Sequence, residues 1–382
     1  MSPASLSRPS LAFVLLALVS INASASEPSA ENRPLQLKLG MRLHVDIRSP
    51  LLGDSSASAS HSVQLIARRT QLQLSTTFLQ TIDSDFIVDF LGGGERTRVE
   101  HAFLNFRPRR WLQAQIGLGK VPMGHEFFAV SSNALDFIER SLLFTNINPQ
   151  YELGAALHGA LWDDRVEYWA GYNINPPDSK KHHDAVARLA FMPVQGVSVG
   201  ASGFWGQRDD ADELQWKLAT GYKLMEKPIS IKGAYWGLGG ELAAYHGPAS
   251  FKAEYGVRLE TPEEGQGALR TQGLYASASW VLTGERKTVK GVEPREPLDL
   301  LENQQGLGAW ELAARYGRLW GDAAPEDGAR SPRVQEFSLG LNWYLTSHVR
   351  WMLGLNMYRT EDVPAASKAN LLEVLARAQL AF

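Results

Sequence analysis

The sequence predicts an all-β protein, a 16-stranded antiparallel transmembrane β-barrel with one long loop folded back onto or into it. Three observations carry that prediction. Apolar and polar residues alternate over long stretches from end to end. Leu35, Leu37, Leu39, Met41, Leu43, Val45 and Ile47 oppose Gln36, Lys38, Gly40, Arg42, His44, Asp46 and Arg48, so one face carries the charges and the other is bare of them. Outside the N-terminus, no segment approaches the roughly 18 consecutive apolar residues that a spanning helix needs. Finally, about thirty residues separate the alternating segments 111–119 and 151–161, far more than a hairpin uses. That insert is too apolar to stand free in water.

Taken in order, residues 1–25 read as a signal peptide. Arg8 precedes the apolar run from Leu11 to Ile21, which is too short to span as a helix, and Ala23-Ser-Ala25 offers a small-residue cleavage site. Residues 26–382 then form one barrel domain. Strands are expected near 35–48, 63–78, 82–90, 98–107, 111–119, 151–161, 165–173, 185–192, 197–205, 236–246, 251–260, 272–283, 308–318, 335–345, 349–359 and 371–382. An even count returns both ends to the periplasmic side. Connections then alternate short and long, and the long ones, 206–235 among them, are expected to face outward. The connection 284–307 is long on the side where the others are short. Inside the 120–150 insert, Leu135, Ile138 and Leu142 fall at helical spacing and predict one short amphipathic helix.

Composition narrows the functional classes. The formal charge is −3 with 38 basic and 41 acidic residues, so no basic excess points to nucleic acid. Cysteine is absent. Trp111, Trp162, Trp280, Trp310, Trp320, Trp343, Tyr168 and Tyr172 sit near strand ends or on the lipid phase, as interface girdles do. His182 and His183 lack a third ligand in sequence, and Gly92-Gly-Gly94 is followed by no helix, so neither a metal nor a phosphate-cradling loop is expected, and no cofactor is implied. His61-Ser62 is the nearest hydrolase-like pair and has no orienting partner.

The insert and its flanking strands carry Gly119-Lys-Val-Pro-Met-Gly-His-Glu126, Ser131-Ser-Asn133, Phe137-Ile-Glu-Arg-Ser141 and Gly154-Ala-Ala-Leu-His-Gly159. This pattern resembles the phosphate-selective porin O and P family. Further blocks agree: Leu37-Lys-Leu-Gly-Met-Arg42, Arg68-Arg69, Tyr275 to Glu285, Gly340-Leu-Asn-Trp-Tyr-Leu345, and a terminal Phe382 in phase with Val374, Ala378 and Leu380. The resemblance implies an outer-membrane homotrimer whose third extracellular loop, here 120–150, folds into the pore as its constriction, and whose periplasmic connection near 284–307 also bends inward. It implies passage of small anions such as phosphate through a non-enzymatic channel.

Candidate constriction residues are Arg68, Arg69, Lys120, Ser131, Ser132, Asn133 and Arg140, because anion selectivity needs cations and neutral donors at the narrowest point. Strand phase puts Arg69 inward. Arg68 falls in the lipid phase, which requires a strand end or a bulge. Arg140 has two readings, contact with ions or pairing with Glu139 or Glu152 to pin the loop. Arg165 falls in the inward phase, and Arg350 lies on a far strand. A weakly selective diffusion porin and, in another class, an outer-membrane hydrolase are the alternatives.

Overall fold

The computed structural model describes residues 34–49, 62–91, 97–174, 180–225, 227–264, 267–298, 306–321, 333–361 and 370–382. The expected signal peptide, His61, Gly92–Gly94 and the tips of several long outer connections lie outside the described residues.

Alternation at a period of two places every second side chain on one face of a strand, and a closed sheet converts that into a lipid face and a lumen face. Twelve strands precede the long connection 282–308: β1 (Leu35–Arg48), β2 (Gln64–Phe78), β3 (Ile82–Asp89), β4 (Arg98–Arg109), β5 (Leu112–Lys120), β6 (Tyr151–Leu161), β7 (Val166–Ile174), β8 (His182–Phe191), β9 (Val197–Leu214), β10 (Ile229–His246), β11 (Ala249–Pro262) and β12 (Leu269–Val281). Two-residue strands β13 (Lys287–Thr288) and β14 (Gly291–Val292) pair only with each other. The wall resumes with β15 (Ala309–Gly321), β16 (Arg333–Tyr344), β17 (Val349–Glu361) and β18 (Asn370–Ala381). All neighbours are antiparallel, β12 pairs with β15, and β1 closes on β18 from Arg42↔Ala381 to Arg48↔Leu375, giving a closed barrel of sixteen strands. Closure leaves no free edge, the condition for crossing lipid with strands. The phase assignment holds in β1, where Leu37 and Leu39 are 64% and 71% exposed while His44 and Asp46 are fully buried.

Two strands run longer than alternation indicates. β9 continues from 205 to Leu214 and β10 begins at Ile229, because Gln207-Arg-Asp-Asp-Ala-Asp-Glu213 is polar on both faces and carries no phase signal although the ladder persists. The segment 215–225, expected outside, instead buries Trp216, Leu218 and Leu224 against Leu142, Leu143 and Ile147. Trp216 Nε1 donates to Thr271 Oγ1 at 3.1 Å. Arg165 is not in the lumen. It belongs to an exposed turn in which Trp162, Asp163 and Asp164 take left-handed backbone conformations (φ 52°, 53° and 63°), so strand phase does not govern it.

The expected helix over Leu135, Ile138 and Leu142 does not form. Those residues separate into three packing groups: Leu135 with Val130 and Ala134, Ile138 with Met352 and Leu375, and Leu142 with the large cluster that holds Trp216 and Tyr275. An extended chain reaches three places and one helix face cannot. The helix that does form is α1 (Leu142–Ile147), capped by Ser141, whose Oγ accepts from Phe144 N at 3.3 Å.

Candidate functional site

The family-like motif reads as a set of physical requirements. After Lys120 the chain leaves the wall, and Gly124 turns it at φ +73°; a Cβ there would stand 2.4 Å from Glu254 Oε2. Glu126 Oε2 accepts from Ser141 Oγ at 2.7 Å, tying the start of the insert to its middle. Glu126 Oε1 also lies 3.4 Å from Arg315 Nη1 on β15, and the Arg315 guanidinium stacks over Phe137, 4.5 Å from the ring centroid.

From there the segment 121–148 contacts strands far apart around the closed sheet. His44 Nε2 on β1 lies 3.0 Å from Asn133 Oδ1. Gln379 of β18 and Arg350 of β17 donate to Asn133 O at 3.1 and 3.2 Å. On the other side, Lys252 of β11 pairs with Asp136, and Glu254 Oε1 accepts from Glu126 N at 2.6 Å. Glu139 pairs with Arg48 of β1 and lies 3.5 Å from Arg68 Nε on β2. The connection between β12 and β15 joins in: Lys287 Nζ lies 2.8 Å from Asp136 Oδ1 and 2.6 Å from Glu311 Oε1. Val289 packs against the group formed by Val130, Ala134 and Leu135.

These buried pairs set the protonation of the insert. Burial alone would raise the Glu139 carboxyl, but Arg68, Arg48, Arg377 and Arg69 outweigh it and bring its pKa down to about 2. Burial would likewise raise Asp136, and Lys252 and Lys287 hold it below the ordinary carboxylate range. His125, buried and facing Lys252 and Arg188, is lowered to about 3 and is neutral at working pH.

Packing is uneven across the barrel. Met123, Leu142, Leu143 and Ile147 join Phe204, Trp216, Tyr235 and Tyr275 in an apolar mass on the β9–β12 side. Among the described residues, one cavity lies against β1–β5 and a second against β1–β2 and β16–β18. The first, of about 370 Å³, is lined by Arg42, Arg68, Arg69, Arg98, Lys120, Arg140 and Lys217, against Asp85, Glu100 and Glu139. The other, of about 540 Å³, lies toward the 346–348 turn and the C-terminus. It is lined by Lys38, Arg42, Lys290 and Arg350 and by no Asp or Glu side chain among the described residues. Arg42, Gln73, Ala129 and Ser131 line both cavities, so the two meet there.

All seven sequence-predicted residues face these spaces. Arg68, Arg69, Lys120, Ser131, Ser132 and Arg140 line the first cavity, and Asn133 and Ser131 line the second. Arg68 reaches it through a bulge: His44 pairs with Arg69 and Val45 with Ala67, which skips Arg68 and turns it toward Glu139. Lys120 Nζ donates to Phe127 O at 2.9 Å. Arg140 pairs with neither Glu139 nor Glu152. Its guanidinium donates to Glu126 O and, at 3.4 Å, to Val130 O, and it lies over the Phe127 and Phe144 rings. It therefore braces the insert internally and not against the wall, since no carboxylate partner appears among the described residues. Arg350, expected to be remote, lines the second cavity.

Sequence reasoning missed Arg42, Arg98 and Lys217 as neighbours of the seven. Strand phase had Arg42 inward, so distance to the insert was the missing quantity. Lys217 follows Trp216 in a segment without strand phase, and no local signal marks it.

A model of the family described as phosphate-selective porin O and P matches residues 37–382. The chain belongs to that family. It is an outer-membrane channel porin, and its closed sixteen-strand barrel matches the fold of solved porins. Solved structures share this porin's fold. OmpT of Vibrio cholerae (in-vitro folded, trimer form) is 11% identical with a TM-score of 0.63, over 92% of this chain and 100% of that one. An anion-selective porin from Comamonas acidovorans is 10% identical with a TM-score of 0.60, over 91% and 100%. OmpF of Salmonella typhi in complex with daunomycin is 12% identical with a TM-score of 0.59, over 91% and 98%. No curated protein sequence matches the porin.

Proposed function

We propose that the porin conducts small anions passively, favouring oxyanions such as phosphate, through an off-centre path along the wall from β16–β18 through β1 to β5, with the segment 120–150 as its constriction. The observation that carries this is the charge of the two joined cavities: seven cationic side chains against three carboxylates in one, and four cations with no carboxylate side chain in the other. Arginine forks suit oxyanions bidentately, and Ser131, Ser132 and Asn133 supply neutral groups that replace water lost by the ion. The acidic net charge of the chain does not oppose this reading. Asp46 with Arg377, Glu241 with Arg188, Glu260 with Arg208 and Glu336 with Arg315 are buried pairs that line neither cavity, so the charge met by an ion is set locally and not by the chain's total.

The test is the reversal potential of single channels in a salt gradient, with and without phosphate. Anion-over-cation permeability above one, with chloride current reduced by added phosphate, is the expected result. A ratio near one makes the pore a general diffusion channel. The reading makes the protein a conduit and not a catalyst, with a hydrolase assay on detergent-solubilised protein as its control. It includes export through cleavage near Ala25, checked by N-terminal sequencing of the mature protein. It also includes assembly as a homotrimer in the outer-membrane lipid, in line with the family and with the trimer form of OmpT; mild crosslinking is expected to stop at three chains.

A further inference from the structure

Beyond the anion path, we infer that Glu152, His182 and Asp184 form a site for a late first-row divalent cation, of which Zn²⁺ is the probe. One ligand atom from each lies within 4.8 Å of the others. Glu152 is on β6 and His182 and Asp184 on β8, two strands away, with Asn173 of β7 between them. The Glu152 side chain is only 10% exposed, and its Oε2 is buried with no hydrogen-bond partner among the described residues. A buried carboxylate oxygen without a donor is costly, and a cation is the partner that would satisfy it. His182 Nε2 lies 3.3 Å from Glu152 Oε1. An ion with bonds of about 2.0–2.2 Å holds its ligand atoms roughly 3–3.5 Å apart, the separation this pair already has.

The third ligand is oriented from behind. Asn173 Nδ2 donates to Asp184 Oδ1 at 2.9 Å and Tyr235 Oη to Oδ2 at 2.7 Å, the outer-shell arrangement that fixes a ligating carboxylate. The backbone makes room for it: a Cβ on Gly206 would stand 2.6 Å from Asp184 Cβ and 2.8 Å from Tyr235 Cζ. The nearby cation, Arg208, is paired with Glu260 and lies 3.9 Å from Asp212, so two carboxylates near His182 keep their attraction for a divalent ion. One imidazole with two carboxylates selects Zn²⁺-like ions over Ca²⁺ or Mg²⁺, which prefer all-oxygen shells. His183 is the built-in comparison: it is adjacent in sequence, and its Nδ1 lies 3.0 Å from Tyr172 Oη.

The full-length porin, purified in detergent and stripped with a chelator, is titrated with Zn²⁺ against a chromophoric competitor. The expected result is one Zn²⁺ per chain at a site indifferent to millimolar Ca²⁺, with affinity reduced at least about tenfold in both His182→Gln and Glu152→Gln and unchanged in His183→Gln. Heat-modifiable mobility establishes that each variant is folded, and Glu152→Gln decides alone if His182→Gln does not fold. Equal Zn²⁺ affinity in wild type and the folded variants overturns the inference. So does an altered heat stability of His182→Gln in a protein that binds no Zn²⁺, which would make the trio an imidazolium–carboxylate pair.

Discussion

Reversing Arg69 and Lys120 together to glutamate is the perturbation that separates a charge filter from a merely narrow hole. More cations line the first cavity than the second, seven against three carboxylates, and the double reversal leaves five of each. A unit charge about 4 Å from a passing ion is worth about 1 kcal/mol even at the dielectric of water, so each reversal shifts an anion by about 2 kcal/mol and a cation by the same amount oppositely. Screening over a Debye length of about 8–10 Å trims this without cancelling it. A fall of at least about tenfold in anion-over-cation permeability is therefore expected, with roughly half the effect, on a logarithmic scale, for Arg69→Gln with Lys120→Gln. Conductance should change far less, because the apolar mass on the β9–β12 side holds the insert in place. The assay is the single-channel reversal potential in a KCl gradient. Arg110→Glu, at the exposed turn where Arg110 pairs with Asp164, is the control; Arg350 cannot serve because it lines the second cavity. A permeability ratio unchanged by the double reversal, or a wild-type pore that already prefers cations, refutes the reasoning.

Glu139→Gln should release the insert from Arg48 and Arg68, since breaking a buried ion pair costs about 3–5 kcal/mol; noisier single-channel currents are the readout. With its folded pKa near 2, below the unfolded value, Glu139 contributes stability above the unfolded value that fades as pH falls toward 2, so wild-type current noise should stay flat from pH 7 to about pH 5 and increase only in stronger acid. Asp136→Asn leaves Lys252 and Lys287 without their shared carboxylate, and trypsin should then cut after Lys287, which is 1% exposed in the native protein. Trp216→Ala removes the largest side chain of the 215–225 segment at a cost of roughly 3–5 kcal/mol, and increased conductance with lower anion preference is expected as Lys217 leaves the cavity.

What the sequence determined by itself was everything that depends on period and chain order. Leu37, Leu39 and Ile47 alternate with Lys38, Asp46 and Arg48 because one face of a closed sheet meets lipid, and that rule operates residue by residue wherever a strand crosses the membrane. All sixteen wall strands were legible on that basis, as was the inward phase of Arg42 and Arg69, whereas Arg68 needed a bulge that alternation does not show. The rule fell silent where a strand was polar on both faces, as at 207–213, and where a turn broke the phase, as at Arg165. Only the tertiary structure decided what meets across the lumen. Leu135, Ile138 and Leu142 sit at helical spacing yet serve three separate packing groups, and Arg140 sits beside Glu139 in sequence yet braces the carbonyls of Glu126 and Val130. The same holds for Glu152, His182 and Asp184, which sequence separates by about thirty residues and a shared strand neighbourhood brings together. Contacts between elements distant in sequence carry no periodicity, since they are set by how the sheet closes and how the insert packs within it, and neither quantity is written in any local stretch of the chain.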